Sequence, residues 1–279
     1  MNAKKNITTI VFLAFLFLLT SCSGKKDQLT EEVISALKQT DRLEYKMVSN
    51  VSETYTIYPE MEERSSKSNQ NYWQSSDNYI MELISYNNDD SVSSMSVYAL
   101  IGNQFFSKFN DQWQVSETTG IPIDWSARIP ELDNHNDFSI KKEDNSYIII
   151  ISGEKRKNIL EKQIQDAKDQ EAAYLWEGED NGANIYKSII DILERSEIKE
   201  LTYTVYLDDM GMAVKCINRK IFQTFSYQDD VLNNGDTEIP VTIVDTNTWK
   251  LEEKDSLQIS NKFREINYDI QKQLSNMEL

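Results

Sequence analysis

The stretch from Ser94 to Val115 constrains this chain more than any other. Ser94–Ile101, Gln104–Phe109 and Gln112–Val115 are β-rich runs separated by Gly102-Asn103 and Asn110-Asp111. Two-residue Gly/Asn/Asp turns close β-hairpins, because they supply the positive φ that twisted strand pairs demand. Carrying the register through both turns puts Met95, Val97, Ala99, Ile101, Phe106, Trp113 and Val115 on one face. Tyr98, Leu100, Phe105 and Phe109 fall on the other. Both faces are apolar near the middle, whereas a sheet with one solvated face alternates cleanly. The meander therefore predicts an antiparallel sheet covered on each face, and helices are the available cover.

The rest of the chain supplies them. Leu29, Val33, Ala36, Leu37, Thr40 and Leu43 have helical spacing, and Thr30 is a candidate cap for a helix over 30–43. Tyr45, Met47, Val51, Tyr55 and Ile57 then alternate as the apolar face of a strand, with Lys46, Asn50, Ser52, Thr54 and Thr56 opposite. Glu63–Ser76 reads as an exposed strand, and Tyr79, Met81 and Leu83 alternate again. Phe138–Ile151 is a strand pair turning at Glu143–Asn145. Helices are expected over Lys155–Tyr174 and Asn184–Arg195, then strands at Glu200–Leu207 and Met212–Phe222, an acidic loop at Asp229–Thr237 and a last strand at Ile239–Val244. Ile259, Phe263, Ile266, Ile270, Leu274 and Met277 trace a terminal amphipathic helix. The class is α+β.

At the N-terminus, Lys4 and Lys5 precede an unbroken apolar run from Ile10 to Leu19. That run is too short to span ~30 Å of hydrocarbon but suits a secretory signal. Leu19-Thr20-Ser21-Cys22 follows and resembles the lipobox of bacterial lipoproteins. An ordinary signal with an incidental cysteine is the competing reading. The resemblance implies that 1–21 is a lipoprotein signal peptide and that Cys22 becomes an acylated mature N-terminus. Two or more acyl chains, such as palmitate, give stable anchoring. The expected location is the extracytoplasmic face of the cell membrane. Without 1–21 the chain has 27 basic and 46 acidic residues, a net charge of -19. A body so acidic is repelled by anionic headgroups and is expected to stand off on a tether, 22–28. The same charge excludes a nucleic-acid partner, which needs a basic face.

Three stretches are similar to the LolA-like lipoprotein-carrier superfamily, an incomplete β-barrel around helices. Tyr98–Trp113 is similar to the tyrosine, turn, aromatic, turn, tryptophan meander of Gram-positive members of mostly unassigned role. Ile198–Lys215, with Leu201–Asp209 and then Lys215, looks like the strand ending in an acidic turn that precedes a strand opening toward a basic residue. Glu238-Ile239-Pro240 is similar to the place where the half-barrel closes. The likeness covers 29–240, and the helix after Leu257 lies outside it. It implies a half-barrel domain over 29–245 with helices on its concave face, and a C-terminal helical extension over 246–279. It also implies a concave apolar surface for acyl chains or hydrophobic segments, here lined by Val97, Ile101, Phe106, Trp113, Val205 and Leu207.

No catalytic arrangement accompanies this. The sequence has no Gly-x-Ser-x-Gly elbow, no Gly-rich phosphate loop and no His-Glu-x-x-His. His135 reads as a solvated loop histidine, and Cys216 as a free thiol on a strand. Glu177, Glu179, Asn181 and Gly182 have EF-hand-like offsets, but Glu177 and Ser188 stand where an Asp and a bidentate Glu are required. No enzyme, metal or cofactor is expected. The expected function is binding of a lipid or acyl-bearing ligand. The rival is an interaction or sensor module, and the stripe of the C-terminal helix is expected to dock either on the domain's own sheet or on a protein partner.

Overall fold

The computed structural model of the protein describes residues 25–59, 64–87, 89–109, 111–116, 129, 136–230 and 235–277. Helix α1 spans 25–41. Six strands follow: β1 (Tyr45–Ile57), β2 (Arg64–Ser75), β3 (Asn78–Tyr86), β4 (Val92–Ile101), β5 (Gln104–Phe109) and β6 (Gln112–Ser116). Next come β7 (Phe138–Glu143), β8 (Ser146–Ile151), α2 (Gly153–Glu177) and α3 (Asp180–Glu194). The chain closes with β9 (Glu197–Leu207), β10 (Ala213–Asp230), β11 (Gly235–Glu252) and α4 (Ser256–Met277). The strands form one antiparallel sheet in the order β6-β5-β4-β3-β2-β1-β11-β10-β9-β8-β7. β6 and β7 are its edges, so the sheet is not closed into a barrel, as expected for the class.

Residues opposite one another in register share a face. The line Val205–Cys216–Trp249–Asn50–Gln70–Leu83 crosses the sheet from β9 to β3 on one face. There α1 sets Val33, Ala36 and Leu37, and α2 sets Leu160, against a core that includes Val48, Tyr203, Val205 and Trp249. The line Met47–Trp73–Ile80–Ala99–Phe106 lies on the opposite face. There α4 packs Phe263, Ile266, Ile270 and Leu274 against Ile80, Val97, Ala99, Phe106 and Trp113. These are the α1 face and the α4 face. Both faces carry helices, but the core under α1 and α2 holds no residue of the β4–β6 meander, whose second face is left without that cover.

Local chemistry fixes each helix. The Ser152 hydroxyl accepts from the Lys155 N–H at the start of α2, and Gly178, at φ 77°, ends it in a left-handed cap. Gln258 N–H donates to the Asp255 carboxylate at 2.7 Å, and Asp255 N–H donates back to the Gln258 side chain at 3.2 Å, a capping box that starts α4. The ammonium of Lys46, 4% exposed, donates to the carbonyls of Thr40 and Asp41 at 3.4 and 3.1 Å and so closes the C-terminus of α1.

Several expected boundaries shift. The Thr30 hydroxyl donates back to the Lys26 carbonyl at 2.9 Å. It is thus an interior residue of α1 rather than its cap, and 25–28, expected as tether, are helical. On β1 the more buried side is the one carrying Lys46 and Asn50, while Tyr55 and Ile57 are exposed. Lys46 is inward because it caps α1, a role that period-2 alternation cannot express. The acidic loop at 229–237 is largely strand, with Asp229 paired to Asp236 and Asp230 to Gly235. β11 runs on to Glu252, so the expected boundary at residue 245 falls inside a strand paired on both sides.

Candidate binding face

The six residues expected to line one cavity do not share a face. Val97, Phe106 and Trp113 are buried under α4, with Ile101 packed against the same cluster. Val205 is fully buried under α1 and α2, and Leu207 packs beside it. The hairpin register itself is as expected: Ala99 opposes Phe106, and Lys108 opposes Trp113. The correction lies in which side that face belongs to. Parity carried through β3, β2, β1, β11 and β10 puts Trp113 and Val205 on opposite sides of the sheet, and no local pattern encodes parity over that many strands. Cys22 lies outside the described residues, as does His135.

The α1 face of the β2–β5 half carries a different apolar strip. Tyr79, Met81, Leu83, Tyr98, Leu100 and Phe105 lie on it. Tyr79 is 6% exposed and the others are half-buried. None of them belongs to either core cluster. Phe105 stacks near Tyr98, with ring centroids 6.2 Å apart and planes at 20°, and meets Tyr79 at 6.3 Å and 48°. These are favourable offset arrangements. The Tyr79 hydroxyl is buried without a hydrogen-bond partner, and burial pushes its pKa above the ordinary value. The residues were legible as the second face of the meander, but nothing local to them shows that α4 takes the first.

Three clefts open elsewhere on the described surface. One of about 740 Å3 lies between the N-terminal turns of α1 and β7, with Leu29 and Ile140 as its floor and Lys25, Lys26, Lys141 and Lys142 around it. A second, about 810 Å3, lies by Tyr45, Tyr206, Met212 and Leu251. A third, about 370 Å3, lies by Ile57, Phe225 and Val241. None is lined by the six expected residues. The α2–α3 hairpin leaves Leu175 and Trp176 exposed at its tip, Trp176 at 91%. Among the described residues no group of three or more His, Cys, Asp or Glu is placed to hold a metal, and no helix is long and apolar enough to cross a membrane.

No protein-family model and no curated protein matches the chain. Among solved structures it is similar to a LolA superfamily protein from Nitrosomonas europaea, at 9% identity over 82% of this chain and 94% of that one, with a TM-score of 0.22. It is also similar to a domain from Vibrio parahaemolyticus assigned to outer membrane lipoprotein sorting, at 6% identity over 86% and 98%, with a TM-score of 0.23. The architecture stands on strand order and register.

Proposed function

We propose that this is a lipid-anchored, extracytoplasmic, non-catalytic binding protein that takes a lipid or acyl-bearing ligand on the α1 face of β2–β5. The observation that carries the reading is the strip of Tyr79, Met81, Leu83, Tyr98, Leu100 and Phe105. It is continuous across three strands and, Tyr79 apart, half-buried rather than packed into either core. An apolar strip lined by rigid aromatics gains by covering its surface with hydrocarbon, at roughly 25 cal/mol per Å2. The chain without its signal and anchor cysteine, residues 23–279, should bind the apolar dye 1-aminoanthracene with a rise in its fluorescence. Leu100→Asp should abolish that binding without unfolding the protein. A dye that binds the variant unchanged would sink the assignment. The anchor has its own test: Cys22→Ser should end incorporation of labelled palmitate, and continued labelling would remove the lipoprotein reading.

Display of an interaction surface is the second reading. The α4 stripe, expected to dock on the domain's own sheet or on a partner, packs on the sheet. The exposed tip at Leu175 and Trp176 is the feature that favours this alternative.

A further inference from the structure

Two residues along the strands from the line through Asn50 and Leu83, the α1 face changes character. Asn218 opposes Asn247, Asn247 opposes Ser52, Ser52 opposes Ser68, and Ser68 opposes Ser85. This is an unbroken row of small hydrogen-bonding side chains from β10 to β3, and all five are half-buried. In the next row Lys220 opposes Asp245. A sheet face that carries helices is ordinarily apolar, and buried polar groups ordinarily find partners. Here two do not. Asn50 is 3% exposed. Its amide donates to the Gln70 side chain at 3.4 Å, yet its Oδ1 accepts nothing, and the Asn218 Oδ1 is buried in the same condition. An unpaired buried carbonyl costs ~1–3 kcal/mol. Asn50 stands directly beside Ser52 and Ser68 of the row, whereas Asn218 lies two strands away, ~12 Å from Asn50 by strand spacing and rise.

We infer that this row is the seat of a hydroxylated headgroup, the polar end of an amphiphile whose hydrocarbon lies on the Tyr98–Leu100–Phe105 strip. The inference rests on the binding reading above and names its ligand class. A headgroup hydroxyl supplies the donor that the Asn50 oxygen lacks, and accepts in turn from the serine hydroxyls beside it on β1 and β2. The spacing agrees. The polar row stands ~7 Å beyond the row of Leu83, by the rise of two strand residues, about the distance from the first carbons of an acyl chain to a glycerol group.

The test compares monolaurin with methyl laurate, which has the same chain and no hydroxyl, as displacers of 1-aminoanthracene. Monolaurin should displace the dye at about tenfold lower concentration. Asn50→Leu should bring the two esters together while leaving dye affinity unchanged, and Asn218→Leu, beyond the reach of one glycerol group, should not bring them together. Both variants should also melt higher than the parent, because an unpaired acceptor has been replaced by hydrocarbon. Equal displacement by the two esters, or a monolaurin preference that survives Asn50→Leu, would overturn the headgroup assignment and leave the apolar strip standing. Failure of the dye to bind the parent chain would overturn the strip, and the headgroup inference with it.

Discussion

The indole N–H of Trp113 donates to the carboxylate of Asp269 at 2.8 Å, tying edge strand β6 to α4. The Lys108 ammonium meets the same carboxylate at 2.9 Å. One turn along, the Gln273 side chain accepts from the Trp113 backbone N–H and donates to the Asp111 carbonyl, each at 2.8 Å. The free edge of the sheet thus has side-chain partners for its backbone groups, which blunts it as a template for pairing. Asp269→Ala leaves the buried indole N–H unpaired, with Trp113 1% exposed. The expected cost is ~1–2 kcal/mol, the lower part of the range for charged hydrogen bonds because the carboxylate is half-exposed. Urea denaturation would measure it, and an unchanged midpoint would dismiss the contact.

Acid should release the same contact. Hydrogen bonds from Trp113 and Lys108 hold the Asp269 carboxyl below its ordinary 3.8. A depressed folded pKa contributes stability that is fully present above the unfolded value and lost as pH falls through the folded one. Glu32, lowered from 4.5 chiefly by the Tyr147 hydroxyl, acts in the same direction. Thermal midpoints should be level from pH 7 to about 4.5 and fall below that, with a shallower fall in Asp269→Asn. At the other limit burial pushes Tyr203 up to about 12. Its contribution is present below the ordinary 10 and lost as pH rises toward 12.

Much of this could be read from local pattern. Asn-Gly-type turns and period-2 alternation placed β4 to β6 and their register, and 3.6-residue spacing found α2, α3 and α4. Patterns fail where a residue's reason for being buried lies far away in sequence. Lys46 is inward for the carbonyls of α1, and Thr30 bonds back along its own helix. Trp113 and Val205 are both apolar strand residues, and only the pairing of the strands between them separates their faces. The polar row is invisible for the same reason. Ser52, Ser68, Ser85, Asn218 and Asn247 are unremarkable singly and meet only through register.

Lys46→Met keeps the length of the side chain and removes its ammonium. The carbonyls of Thr40 and Asp41 then lose a donor, and Asp41, 3.9 Å from the ammonium, loses its countercharge. A loss of ~1–3 kcal/mol is expected, read by urea denaturation. Hydrogen exchange should quicken in the last turn of α1 before it does in β1. Equal protection in parent and variant would show that the cap contributes nothing.

Removing 256–279 should unfold half of the sheet rather than free a partner-binding tail. α4 supplies the cover for Ile80, Val97, Ala99, Phe106 and Trp113, and each large side chain returned to water forfeits ~1.5–3 kcal/mol. Even part of that sum rivals the ~5–15 kcal/mol by which a whole domain is stable. The truncated chain should therefore bind 8-anilinonaphthalene-1-sulfonate and lose its cooperative transition. A peptide of residues 253–279, marginally helical alone, should restore the transition when added in excess. The same peptide carrying Asp269→Ala should need a severalfold higher concentration, because it meets β6 without the acceptor for Trp113. A truncated chain that melts like the parent would show that α4 rests on the sheet without supporting it.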